Sequence, residues 1–190
     1  MVRCYGEGWN FRKNICMNKI ILFFIFLTFS AFKAPHSKLS DKIYIPYNKE
    51  LKKQKNLYLV GSGGAMMGGV RKVNAHYDAF KNLTVEEARR LYVEVIEGYL
   101  TRYNQNERIR PYLYDYPFTI ANLEVDIAFH NKPGQRVDKE FVALMFVVKK
   151  NRLIYEAYDH ETDKFFDLYA EPYETARDIV MAEKKANGTQ

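Results

Sequence analysis

Five residues have side chains suited to chemistry at a metal. His130 and Asp126 share one face of an alternating stretch, and Asp159-His160-Glu161 closes another. Together they offer the imidazole nitrogens and carboxylate oxygens that a zinc-type ion takes as ligands, which would make the chain a metal-dependent hydrolase. Their spacing matches no established metal motif, and a solvated strand face with a turn accounts for them more simply. His76 and Asp78 read as solvated residues of a short linking segment. No serine stands in a nucleophile elbow, and both cysteines, Cys4 and Cys16, fall in the first 34 residues. Glu94 and Glu97 lie on the charged side of a helix, which gives paired-carboxylate catalysis no support. The expectation is a non-enzymatic protein with no cofactor and no metal.

The glycine-rich stretch Asn56–Val70 is the other place where chemistry could hide. It runs fifteen residues without a charge and contains Gly61, Gly63, Gly64, Gly68 and Gly69. A dinucleotide fingerprint starting at Gly61 needs glycine or alanine at 66, where Met66 stands. A phosphate loop ending at Gly68 or Gly69 needs lysine and then serine or threonine, and neither follows. What survives is close backbone packing, with Gly64 and Gly68 at the spacing that lets helices approach in lipid. Gly64, Met66, Met67 and Gly68 are therefore the candidate membrane contact, beside the basic cluster Lys49, Lys52, Lys53 and Lys55.

One helix organises the elements that would position these residues. In Thr84–Tyr103, Val85, Ala88, Leu91, Tyr92, Val95, Ile96, Tyr99, Leu100 and Tyr103 recur at three- and four-residue intervals. Thr84 and Glu87 have the spacing of a capping box. Burying such a stripe is a gross driving force on the order of 10 kcal/mol before ordering entropy is subtracted. Downstream, Tyr112, Tyr114 and Tyr116 alternate between two proline dipeptides. Leu123, Val125, Ile127 and Phe129 mark the buried face of a strand, and Pro133-Gly134 marks a turn. Phe141–Val148 and Leu153–Asp159 read as a hairpin closed by the four residues Lys149–Arg152, and Phe165–Tyr169 as a fourth strand. Pro172 opens a closing helix.

A four-residue hairpin loop sets Val148, Phe146 and Leu144 beside Leu153, Tyr155 and Ala157 on the helix-covered face. The opposite face then carries Ala143, Met145, Val147, Ile154, Glu156 and Tyr158. It is too apolar for open water and too polar for a dry core, so it is the candidate partner surface.

The chain should be organised as a leader over 1–34, a lysine-rich tether and glycine-rich apolar segment over 35–72, an α+β domain over 73–185 and a tail over 186–190. In the leader, Lys19 precedes the uncharged, mostly apolar run Ile20–Phe32. This pattern describes a secretory signal peptide, or an uncleaved signal anchor, with Met17 as a candidate start. The run is short of the roughly 20 residues a spanning helix needs. Formal net charge is +6, but Arg3, Arg12, Lys13, Lys19 and Lys33 against Glu7 put four of those charges in the leader. The remaining +2 argues against nucleic-acid binding. Hydrophobic residues make up 47%, which excludes a disordered chain.

The fold class expected is α+β: a long amphipathic helix packed on a roughly four-stranded antiparallel sheet, with a C-terminal helix. In outline this order looks like the cystatin and NTF2-like helix-on-sheet architectures, a likeness of element order that implies no activity and no site residues. The functional expectation is an exported binding module of the cell envelope or extracellular space, with a protein partner or self-association. A membrane-docked protein using residues 57–70 is the alternative.

Overall fold

The computed structural model describes residues 34–188. The chain divides into two units at Pro35, and the second is an α+β domain with a seven-stranded, mostly antiparallel sheet and three helices. The leader and both cysteines lie outside the described residues. The elements are α1 (Pro35–Lys55), β1 (Leu57–Ala65), β2 (Lys72–Ala79), α2 (Val85–Gln105), β3 (Leu123–Lys132), β4 (Gln135–Arg136), β5 (Leu144–Val148), β6 (Arg152–Asp159), β7 (Lys164–Pro172) and α3 (Tyr173–Asn187). The sheet runs β1-β2-β3-β5-β6-β7, with the short β4 paired to β3. Only β2 and β3 are parallel, and α2 makes the crossover that a parallel pair requires.

The central helix begins as its sequence dictates. Thr84 Oγ1 accepts from the Glu87 amide while the Glu87 carboxylate accepts from the Thr84 amide, so the capping box is complete. Its buried set includes Arg89 and Val93 beyond the expected stripe, because α1 and α3 flank it on either side. Tyr92 reaches across the interface and donates to the Val125 carbonyl on β3 at 2.7 Å. The β3 alternation holds, with Leu123, Val125, Ile127 and Phe129 buried against the helices.

The segment expected to be a tether is instead α1, and the domain begins at Pro35. Leu39, Ile43, Tyr47 and Leu51 recur every fourth residue and face inward, the last three buried. Tyr47 donates to the Val95 carbonyl at 2.9 Å. This contact requires Gly98 on α2, where a Cβ would overlap the Tyr47 hydroxyl and lie 2.5 Å from Cζ. Asn48 bonds the hydroxyls of Tyr77 on β2 and Tyr99 on α2, and Ser40 bonds that of Tyr103. Buried polar groups stay inside when every partner is present, and here three elements supply the partners.

The glycine-rich stretch is also structured. Leu57–Ala65 pairs antiparallel with β2 as an edge strand of the sheet, and residues 66–71 form the connecting turn. His76 and Asp78, expected in a linker, lie within β2. The sheet therefore has three more strands than the sequence pattern announced.

The β5–β6 hairpin differs from expectation by one residue. Its loop is the three residues Lys149–Asn151, with Lys150 at φ 63° and Asn151 at φ 55°, so Val148 pairs with Arg152 and Met145 with Tyr155. A one-residue slip turns a strand over. Ala143 and Met145 are thus wholly buried in the core and Val147 packs on it, while Leu144, Phe146 and Val148 take the other face. The β6 half stands as expected, with Leu153, Tyr155 and Ala157 buried.

Candidate functional site on the uncovered sheet face

All three helices pack on one side of the sheet, and the other side carries a continuous cross-strand pattern. One row runs Gly61, His76, Asp126, Phe146, Ile154 and Ala170 from β1 to β7. The next runs Tyr58, Asp78, Ala128, Leu144, Glu156 and Asp167. The face thus has an apolar centre of Leu144, Phe146 and Ile154, with polar groups toward both edges.

On the β2–β3 side the polar groups are two imidazole–carboxylate pairs. His76 Nδ1 stands 2.7 Å from Asp126 Oδ2, and His130 Nε2 stands 3.2 Å from Asp78 Oδ1. The His76 ring lies over Gly61, where a Cβ would come within 2.9 Å of Cδ2. Partial burial raises the Asp126 carboxyl above its ordinary range, and the His76 contact pulls it back. Such a pair can orient a proton-transfer group, but it needs a nucleophile beside it to act. Ser62, the one aliphatic hydroxyl of β1, pairs in register with the inward-facing Ala75 and so points away from His76.

The metal constellation does not assemble. His160 bonds the Val137 carbonyl at 3.0 Å, whereas His130 turns to Asp78. Asp159 accepts from the Glu161 amide at 2.8 Å within its own turn, which with a second bond from Thr162 holds its carboxyl below the ordinary range. Among the described residues no group of three or more His, Cys, Asp or Glu could hold a metal ion.

On the β6–β7 side Glu156 and Asp167 face each other directly. Partial burial, then the Asp167 charge, raises the Glu156 carboxyl. Like charges directly opposite one another destabilise a sheet. Around them β7 is an edge strand whose Phe165, Phe166, Leu168 and Tyr169 are exposed. Leu168 sits at a bulge between Tyr169 and Asp167. Of the partner surface read from sequence, Ile154, Glu156 and Tyr158 belong to this face, with Tyr158 bonded to Asp163 and beside Phe165. Phe146 and Leu144 belong to it too, revealed only by the true hairpin register, and so does Asp167, placed by the bulged β6–β7 pairing.

The residues considered for membrane contact divide. Gly64 is paired in β1, while Met66, Met67 and Gly68 form the β1–β2 turn, with Gly68 at φ 74° and Met67 almost fully exposed. Among the described residues no helix is long and apolar enough to cross a membrane.

Comparison with protein-family models, curated proteins and solved structures finds no match to this chain.

Proposed function

We propose that the protein is an exported binding module whose uncovered sheet face, over β5–β7, receives a basic protein partner with an apolar anchor. The observation that carries this reading is the Glu156–Asp167 pair set beside Leu144, Phe146 and Ile154. Two carboxylates held face to face are relieved when a cation from a partner comes between them, and the apolar centre adds area for an anchor side chain. The leader supports export, since a lysine followed by an apolar run is what a secretory route reads.

A photo-crosslinking residue placed at Phe146 or at Leu168, in the cell that makes the protein, tests this. A discrete adduct from both positions is expected, absent when the crosslinker replaces exposed Arg90 on α2, and lost with Glu156→Lys. N-terminal sequencing of the adduct from each cell fraction reports export at the same time. Adducts no different from those of the α2 control would overturn the reading.

A further inference from the structure

A second surface lies at one end of the domain and is independent of the sheet face. The β1–β2 turn, the start of α1 and the tyrosine segment 112–117 converge there. Val70 donates to the Tyr112 carbonyl at 2.7 Å, and Tyr114 donates back to the Val70 carbonyl at 3.0 Å. His36, in the first turn of α1, bonds the Met66 carbonyl at 2.5 Å, and its ring lies 6.0 Å from that of Tyr112. Asn122 ties the two loops together, donating to the Arg71 carbonyl and to Asp115.

This end exposes side chains that a water-facing loop gains nothing by presenting. Met67 is 94% exposed, Tyr114 62%, Tyr116 53% and Tyr112 39%. Two arginines stand over these rings, Arg71 at 3.8 Å from the Tyr114 centroid and Arg110 at 5.1 Å from that of Tyr116. Tyrosine, with an apolar ring and a polar tip, is the residue type that settles at lipid headgroups. Guanidinium groups at the same level meet phosphate, and a methionine at the tip can enter the acyl boundary.

The chain arrives at this same end. Phe32 closes the apolar run Ile20–Phe32, and three residue steps separate it from Pro35, a reach of at most about 11 Å. An apolar run this close in sequence to the start of α1 makes a lipid surface the occupant that suits the tyrosines, methionine and arginines of this end.

We propose that the end built from Met66–Arg71 and Tyr112–Pro117 docks on an anionic lipid bilayer, in the membrane that takes up Ile20–Phe32. Lipid phosphate is the ligand of Arg71 and Arg110, and Met67, Tyr114 and Tyr116 sit at the interface. The docking leaves the β5–β7 face turned to its own partner, so the two surfaces do not compete.

The full chain, reconstituted in phosphatidylcholine vesicles with and without phosphatidylglycerol, tests this by amide exchange. Slowed exchange over residues 66–71 and 112–117 is expected with phosphatidylglycerol, while residues 152–158 exchange unchanged. Each of Arg71→Gln and Arg110→Gln should weaken that protection about fivefold. Tyr114→Ser/Tyr116→Ser should weaken it without altering charge, and circular dichroism verifies that each variant is folded. Equal exchange in both vesicle types overturns the proposal, as does protection that survives all these substitutions. Protection that appears only on adding a soluble protein fraction also overturns it, in favour of a protein partner. These outcomes leave the crosslinks from Phe146 and Leu168 untouched.

Discussion

Arg89 Nε on α2 lies 2.7 Å from Glu171 Oε1 on β7, with both side chains nearly sealed from water. The same carboxylate oxygen accepts from the Tyr155 hydroxyl on β6 at 2.7 Å. A central helix and an edge strand 82 positions apart are thereby fastened through one carboxylate. Burial alone would lower the Arg89 guanidinium, and the Glu171 bond and charge raise it instead.

Removing one member of this pair should therefore cost far more than removing both. Arg89→Met strands a buried carboxylate and is expected to lose about 3–5 kcal/mol in urea unfolding. Arg89→Met/Glu171→Leu should recover most of that loss, since apolar replacement of a whole buried pair is often neutral. Equal losses in the single and double variants would show that Glu171 is not held by Arg89.

Gly98 gives a second test, of the α1–α2 contact. In most helices alanine for glycine gains about 1 kcal/mol. Here the new Cβ would displace Tyr47 and its bond to Val95. Gly98→Ala is expected to destabilise by about 1–2 kcal/mol. In a Tyr47→Leu background the same substitution should become neutral or stabilising. A stabilising Gly98→Ala in the parent chain would place α1 elsewhere.

The legibility of this fold follows from the range of its signals. The capping box joins residues three positions apart and the β3 alternation repeats every second one, so both are plain in the sequence. The helix α1 was hidden by Pro46 and by five lysines between Lys42 and Lys55. Its buried Asn48 looks like a loop residue until Tyr77 and Tyr99, 29 and 51 positions away, arrive to bond it. The strand β1 gives no alternation because nearly all of it is solvent-exposed, and its place is set by backbone pairing alone. The site turned on a single residue. Asn151, a residue type that tolerates left-handed φ, is the signal that could have marked a three-residue turn. The pairing of His76 with Asp126 joins residues 50 apart, and no local pattern announces it.

Alkaline pH should unfold the domain steeply. Burial raises the Tyr44 hydroxyl from 10.0 to about 12. It also drives Tyr47, Tyr77, Tyr99, Tyr103, Tyr155 and Tyr173 upward. A group with its folded pKa above its unfolded one contributes stability that is complete below the unfolded value. That contribution fades as pH climbs from about 10 toward the folded value. Each such phenol takes away up to about 1.4 kcal/mol per pH unit in that window. Denaturant midpoints should hold up to pH 10 and then fall. Phenolate absorbance of these tyrosines should appear together with loss of helical dichroism, and ionisation preceding unfolding would contradict their burial.

His76 acts on Asp126 in a way that can be read directly. Since burial raises the Asp126 carboxyl and His76 opposes it, His76→Ala should move that carboxyl further up, as followed by carbon NMR of the side chain. Its folded pKa lies above the unfolded one, so its stabilising contribution belongs to acid pH and is lost as pH rises through the folded value. The variant should accordingly lose more stability at neutral pH than in acid. A downward shift of Asp126 would mean that the pair does not form.

Glu156 and Asp167 set the last expectation, which separates stability from recognition. Because their charges oppose each other across β6 and β7, Asp167→Asn should lower the Glu156 carboxyl toward its ordinary range. It should also stabilise the free domain at neutral pH by a few tenths of a kcal/mol. Glu156 titrates above its unfolded value, so the gain should vanish in acid, where Glu156 is protonated. The same substitution removes half of the charge offered to a basic partner, so crosslinking from Phe146 should weaken as the fold strengthens. Stability and adduct yield that fell together would identify the pair as part of the scaffold, and opposite movements assign it to binding.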